Sequence, residues 1–455
     1  MPTADLVILG GGSGGYACAL RASQLGMSVI LIDQDKLGGT CLHRGCIPTK
    51  ALLHAAEVAD SARDSDHFGV RATFEGIDMA KVNAYRDGVV SRLYKGLQGL
   101  VKSREVTFVE GTGRLVGPNA VEVNGERYEG RNIVLATGSY ARTLPGLEIG
   151  GRIMTSDQAL GLEEVPARVI VLGGGVIGVE FASVWKSFGA DVTIIEALPH
   201  LVPNEDEACS KALERAFRKR KISFTLGTRF ASATQDAASV HVTLEDGTTL
   251  DADLLLVAVG RGPNATGIGF EEQGIAMDRG WVVVDERLRT SVPGVYAVGD
   301  ITPGLQLAHR GFQHGIFVAE EIAGLAPAII EDVNIPRVTY CEPEVASVGL
   351  TEAEARARLG DDVVTYEYNL GGNGKSQILD TAGFIKLVQA KDGAILGVHM
   401  VGSRIGEQIG EAQLIVNWEA TPTDVAILIH AHPTQNEAMG EAHLALAGKP
   451  LHAHA

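Results

Sequence analysis

The stretch Gly38-Gly39-Thr40-Cys41-Leu42-His43-Arg44-Gly45-Cys46-Ile47-Pro48-Thr49-Lys50 decides how the chain is read. Cys41 and Cys46 lie five positions apart, ahead of a run whose pattern predicts a helix over 48–59. Gly45 relaxes the backbone between them, and Pro48 stands where a first-turn proline is tolerated. Residues five apart on a regular helix are roughly 8 Å apart at a rise of about 1.5 Å per residue. A disulfide needs Cα atoms about 5.5–6 Å apart. A bridge here therefore demands a distorted turn, and strain makes a bridge easier to reduce. A helix N-terminus also favours thiolate over thiol. The bland alternative is two unrelated core cysteines, and what surrounds the pair counts against it.

N-terminal to this stretch, the apolar run 6–9 reads as a buried parallel strand. It leads into Gly10-Gly11-Gly12-Ser13-Gly14-Gly15, which matches G-x-G-x-x-G at Gly10, Gly12 and Gly15. A helix to about Leu25 and a strand over 28–32 follow, ending at Asp33. In such a unit the glycines let the backbone approach a pyrophosphate, the helix N-terminus faces its charge, and the carboxylate accepts from a ribose hydroxyl. The pattern recurs at Gly173, Gly175 and Gly178, after the apolar run 169–172 and before a strand ending at Glu196. Two complete copies predict two dinucleotide sites. Glu196 would repel a 2′-phosphate, and 197–208 contains no Lys or Arg, so NAD is expected over NADP.

Further strand-to-glycine junctions occur at Thr137-Gly138-Ser139, at Gly260-Arg261 and at Gly299-Asp300. Small residues at such ends admit a nucleotide or another chain segment, and a carboxylate there suits a ligand in the sheet's crevice. Alone, Asp300 would equally suit a helix cap. Alternating stretches at 384–388 and 395–400, then helical runs near 405–420 and 423–429, predict an α+β unit from residue 336. The fold class expected is α/β, with two Rossmann-like dinucleotide-binding domains, one inserted in the other, and an α+β C-terminal domain. The boundaries expected are 1–146, 147–265, 266–335 and 336–455.

At 455 residues the chain is long enough for several domains. A net charge of −17 argues against nucleic acid or an anionic membrane surface as partner. Five cysteines do not make a secreted disulfide framework, and they leave Cys18, Cys209 and Cys341 as spare thiols. No targeting segment or membrane span is read, so a cytoplasmic location is expected.

Near the C-terminus, His430-Ala431-His432-Pro433-Thr434-Gln435-Asn436-Glu437 offers a proton acceptor in His432 and an orienting carboxylate in Glu437. The His432–Pro433 bond is a candidate for cis. The alternatives are a surface loop, or a metal site built from His430, His432, His452 and His454. No constrained further ligand is near, and no metal is expected.

Together the cysteine stretch, both glycine motifs, Ala136-Thr137-Gly138, Ala297-Val298-Gly299-Asp300 and the His432–Glu437 box resemble the pyridine nucleotide-disulfide oxidoreductases over the whole chain. Within them the likeness is to members that oxidise dihydrolipoyl groups with NAD+. The resemblance implies FAD along Gly10, Gly12, Gly15, Asp33, Lys50, Gly113, Thr137, Gly138 and Ser139, then Asp300 and Gln306, Leu307, Ala308 and His309. It implies NAD on Gly173, Gly175, Gly178, Glu180, Glu196 and Gly260, with Lys50 and Glu180 paired beside the flavin. It also implies a Cys41–Cys46 redox disulfide, attacked at Cys41 by a dihydrolipoyl thiol that His432, held by Glu437, has deprotonated. Cys46 would then pass the electron pair to FAD. The histidine would come from the other subunit of a homodimer, and the partners would be lipoyl-bearing acyltransferase or H-protein domains. Glutathione, mycothiol or mercuric-ion reductases are the nearest rivals; Glu196 and a C-terminus without a cysteine pair count against them. A flavin-bearing assembly protein is the rival of another class, and the complete Cys41, Cys46, His432 and Glu437 set counts against that.

Overall fold

The computed structural model describes residues 2–452. The strand Thr3–Leu9 pairs in parallel with Val29–Asp33 on one side and with Glu126–Leu135 on the other. Thr107–Glu110 and Val295–Ala297 extend the same sheet in parallel. Leu6, Val7 and Ile8 are fully buried, which is why the strand reads as an unbroken apolar run rather than an alternating one. A second parallel sheet runs Ser223–Leu226, Asp191–Glu196, Arg168–Leu172, Leu254–Val257 and Ile153–Thr155. It is inserted between Glu126–Leu135 and Val295–Ala297, neighbours in the first sheet.

The two glycine motifs fold alike because the same close approach is required in each. Gly10 has φ +111°, and a Cβ on Gly15 would lie 1.8 Å from the Gly10 carbonyl oxygen. Gly173 has φ +112°, and a Cβ on Gly178 would lie 1.9 Å from the Gly173 oxygen. Only glycine lets the helices Ser13–Gln24 and Val176–Phe188 start so close to the strands they follow. The helix Ala308–Ile322 crosses Ser13–Gln24 at another such contact, where a Cβ on Gly315 would sit 2.2 Å from the Gly14 oxygen. This crossing brings residues 306–309 beside the first glycine motif.

An antiparallel sheet organises the C-terminal part in the order Arg337–Thr339, Glu344–Gly349, Ile395–Gly402, Phe384–Ala390 and Val363–Asn369. Helices Ile405–Asn417 and Glu437–Leu446 pack against it through Ala412, Ile415, Met439 and Ala442. The helical runs expected near 405–420 and 423–429 are shorter: the second is Pro422–Ala426, and Ile427, Leu428 and Ile429 leave it exposed. No helix among the described residues is long and apolar enough to cross a membrane.

Buried charges fasten the inserted unit to the C-terminal sheet. Asp206 caps helix Glu207–Lys219 by accepting from the Ala208 N–H, and it meets Lys386 Nζ at 2.8 Å. Lys386 also reaches Glu352 at 2.7 Å, while Arg337 pairs with Glu205 at 3.2 Å. Burial works to raise the Asp206 pKa, but the Lys386 hydrogen bond, the charge of His399 and the Glu352 N–H outweigh it and hold the carboxyl below its ordinary range. A depressed carboxyl stabilises the fold above its unfolded pKa of about 3.9 and loses that contribution as pH falls through the folded value. Lys386→Met, which leaves Asp206 buried and unpaired, is expected to cost about 3–5 kcal/mol at pH 7. Urea midpoints for the variant and the parent should differ most near neutrality and converge in acid.

Candidate active site

Two helices carry the cysteines, not one. Gly39–Arg44 holds Cys41, and Cys46–Arg63 begins at Cys46 rather than at residue 48, with Gly45 at the break. The chain is turned at Gly45, so the regular-helix separation does not apply and the two thiols hydrogen-bond to each other. Cys46 has a pKa lowered to about 7, first by the hydrogen bond from Cys41, against burial and with help from the Lys50 charge. Cys41 is pushed up, first by that same bond, which holds its proton, and then by burial. The pair is thus poised as one thiol and one thiolate. Cys18, Cys209 and Cys341 are buried thiols whose pKa values burial raises, that of Cys18 to about 12.

One turn along the same helix, Lys50 Nζ donates to both Glu180 oxygens, at 2.9 and 2.8 Å. Burial disfavours the Lys50 ammonium, but the Glu180 charge prevails and the pKa rises. Tyr340, which sequence reasoning missed, donates its backbone N–H to Glu180 at 3.0 Å and lies under Lys50 Nζ at 4.7 Å. Its only signal would have been an aromatic residue near the start of the C-terminal unit.

These groups border a cavity of about 1150 Å³ that runs between the two parallel sheets. At one end it is lined by Gly12, Gly138, Ser139 and Asp300. Gln306, Leu307, Ala308 and His309 close that end. At the other end are Gly173, Gly175, Glu196 and Gly260. Gly10, Asp33, Gly113 and Thr137 line an adjoining pocket of about 150 Å³. Gly15 and Gly178 line neither; they serve the helix–strand approach instead.

Both ends fit a dinucleotide. Gly12 and Gly175 are helix N-caps without a capping side chain, so first-turn N–H groups are open to a phosphate. Behind them Asp33 accepts from the Gly11 N–H and Glu196 from the Gly174 N–H at 2.7 Å, each carboxylate ending the second strand of its unit. Asp300 is not a helix cap: it accepts from Ser139 Oγ at 2.6 Å, and Arg261 in turn holds Ser139. A cation does reach the Glu196 end. Arg229 lines the cavity there, supplied by the turn after strand Ser223–Leu226 rather than by residues 197–208.

His432 Nδ1 lies 2.7 Å from Glu437 Oε1, and the His432–Pro433 peptide is cis. The pair stands outside the cavity, with the His432 side chain 77% exposed, so a single chain does not bring it to the cysteines. The histidines weighed as a metal set are committed separately: His430 to Glu411, His432 to Glu437 and His452 to Glu441. His454 lies outside the described residues.

Residues 4–315 match the pyridine nucleotide-disulphide oxidoreductase family, and residues 335–443 match its dimerisation domain. The chain belongs to this family, as an NAD-dependent flavoprotein oxidoreductase whose cofactors are FAD and NAD. It is 41% identical to dihydrolipoyl dehydrogenase of Bacillus subtilis, over 98% of this chain and 99% of that one. It is 39% identical to the dihydrolipoyl dehydrogenase of Thermus scotoductus, over 99% of each. Among solved structures it superposes on LpdA from Mycobacterium tuberculosis with a TM-score of 0.91 at 27% identity, covering 98% of this chain and 100% of that one.

Iodoacetamide should alkylate Cys46 of the reduced protein with a midpoint near pH 7, the value its hydrogen bond and Lys50 impose. In Lys50→Met the midpoint is expected to rise by about 1–3 units, because the cation is lost and Glu180 remains.

Proposed function

We propose that the protein oxidises a dihydrolipoyl group, borne on an acyltransferase or H-protein domain, to the lipoyl disulfide with NAD+ as final acceptor. The observation that carries this reading is a low-pKa thiolate and its thiol partner where two dinucleotide ends of one cavity meet. FAD would be held along Gly12, Asp33, Thr137–Ser139, Asp300 and residues 306–309, and NAD along Gly173–Gly175, Glu196 and Gly260. When bound, FAD supplies a two-electron relay between a dithiol and a nicotinamide.

The residues divide the work as follows. With Nδ1 committed to Glu437, His432 presents Nε2 as the base that takes the proton of the first substrate thiol. The thiolate attacks Cys41 Sγ of the oxidised Cys41–Cys46 pair, forming a mixed disulfide and expelling Cys46. Its pKa of about 7 makes Cys46 the better leaving sulfur. The second substrate thiol attacks the substrate sulfur of the mixed disulfide, closing the lipoyl ring. Cys41 leaves as a thiol, taking the proton that His432 had accepted, and the proton of the second substrate thiol replaces it on His432. Lys50, fixed by Glu180, holds a positive charge beside Cys46 and stabilises its thiolate.

His432 reaches Cys41 only from a second subunit in this reading. The matched dimerisation domain supports a homodimer, and so does the exposed apolar set Ile427, Leu428 and Ile429, the last 99% exposed. We divide the chain at 146, 265 and 335, which keeps the strands of the inserted sheet together, and place the protein in the cytoplasm on its sparse cysteines.

Anaerobic turnover of dihydrolipoamide is expected with NAD+ and not with NADP+, and NADPH should not reduce glutathione disulfide. A Cys46→Ser enzyme that reduces NAD+ at the full rate would falsify the assigned roles. Ile429→Glu should sediment as a monomer and lose dihydrolipoamide turnover together with the dimer; a monomer that still turns over would refute the shared site.

A further inference from the structure

The loop from 430 to 437 contains a second histidine–carboxylate pair that the chemistry above leaves unused. His430 Nε2 lies 2.8 Å from Glu411 Oε1 on helix Ile405–Asn417. The other Glu411 oxygen accepts from Asn436 Nδ2. His430 precedes His432 by two residues, and Asn436 immediately precedes Glu437. One carboxylate therefore grips the loop on both sides of the base, at His430 before it and at Asn436, the neighbour of Glu437, after it. The His430 ring is also wedged against helix Glu437–Leu446, where a Cβ on Gly440 would come within 2.6 Å of Nδ1. Its side chain is only 12% exposed, in contrast with that of His432.

We propose that His430 and Glu411, with Asn436, are positioning residues that fix the loop so that His432 keeps its hydrogen bond to Glu437 and its aim at the substrate thiol. The inference rests on reading His432 as the base. Glu437 follows Asn436 directly, so a loop freed from Glu411 lets the carboxylate swing away from His432. An imidazole that loses its carboxylate partner also loses the fixed ring orientation that aims its free nitrogen. The titratable groups facing His430 are Glu411 from one helix, and Glu437 and His443 from the other. His443 is buried and held neutral, lowered to about 4 by burial, with Nδ1 at 2.7 Å from the Met439 carbonyl. The Glu411 hydrogen bond raises the His430 pKa against burial, so the ring stays charged further up the pH scale than a free imidazole and the clamp weakens as pH rises through that raised value.

The test compares Glu411→Gln, His430→Gln and the double variant as flavin-loaded dimers in dihydrolipoamide–NAD+ turnover across pH. We expect kcat to fall about 10- to 100-fold, the scale of a misaimed catalytic group, with KM for NAD+ unchanged. NADH oxidation by an artificial electron acceptor, which needs no base for a substrate thiol, should keep the wild-type rate, and the double variant should be no worse than the poorer single one. An unchanged kcat, an artificial-acceptor rate that falls in parallel with kcat, or losses that add in the double variant, overturns the proposal. Should Glu411→Gln fail to retain flavin, Asn436→Ala decides in its place, with the same split between the two rates expected. His432→Gln separates the two readings. If that variant keeps full turnover, the assignment of the base has failed. If it is inactive while the pair variants behave as wild type, only the clamp has failed.

Discussion

Glu180 is the point at which three parts of the chain meet. It lies on helix Val176–Phe188 of the inserted unit, takes the ammonium of Lys50 from the cysteine helix, and takes the Tyr340 N–H from the start of the C-terminal sheet region. Its side chain is 3% exposed. A carboxylate that deep is tolerable only with its oxygens fully engaged, because an unpaired buried charge is far more costly than the pair is favourable. The ion pair therefore says little about net stability and much about geometry. With Glu180 satisfied in one arrangement only, the cysteine helix, the nucleotide unit and Tyr340 are held in register around the thiols.

The two nucleotide units show how far a local requirement can dictate sequence. In each, the first glycine has a positive φ, the third lies within a Cβ clash of the first one's carbonyl, and the closing carboxylate takes the N–H of the glycine between them. Those are backbone demands, so they are written into residue type at fixed spacing and survive where side-chain packing differs. The carboxylate is engaged in this way by its own loop. Its position is thus set by the fold, and a ribose hydroxyl would meet it in place.

What was legible in the sequence divides along the same line. Glycine spacing, strand-end carboxylates, the cysteine interval and the His–Pro box are local patterns, and their elements form where the periodicity puts them. The helix at Cys46 was misjudged because Gly45 breaks the chain into two helices, and Pro48, at the third residue of the second, was mistaken for its beginning. Arg229 lies outside the 197–208 segment that follows Glu196 in sequence, and the turn after the parallel neighbour strand Ser223–Leu226 brings it into the same cavity lining. Tyr340, the Lys386–Asp206 pair and the Glu411 clamp join residues remote in sequence, up to 180 apart for Lys386 and Asp206. Pairs of that kind carry no periodic signal, since either partner alone is an ordinary surface residue until the fold brings the other to it.

The separation of the base from the thiols has a physical logic of its own. A thiolate at pKa about 7 beside a buried ion pair needs a walled cavity, and the chain supplies one from its two nucleotide units and the start of the C-terminal sheet region. A group that must meet a substrate arriving from solvent cannot share that enclosure from the same side. Placing His432 on an exposed loop, next to the apolar residues 427–429, would let a second copy bring the proposed base to the open face of the cysteine pair. The electron pair would then leave inward through Cys46 while the proton leaves outward through His432. Such an arrangement would make loop rigidity a catalytic requirement, because the proposed base would be aimed across a subunit boundary and held only by what its own subunit ties to it.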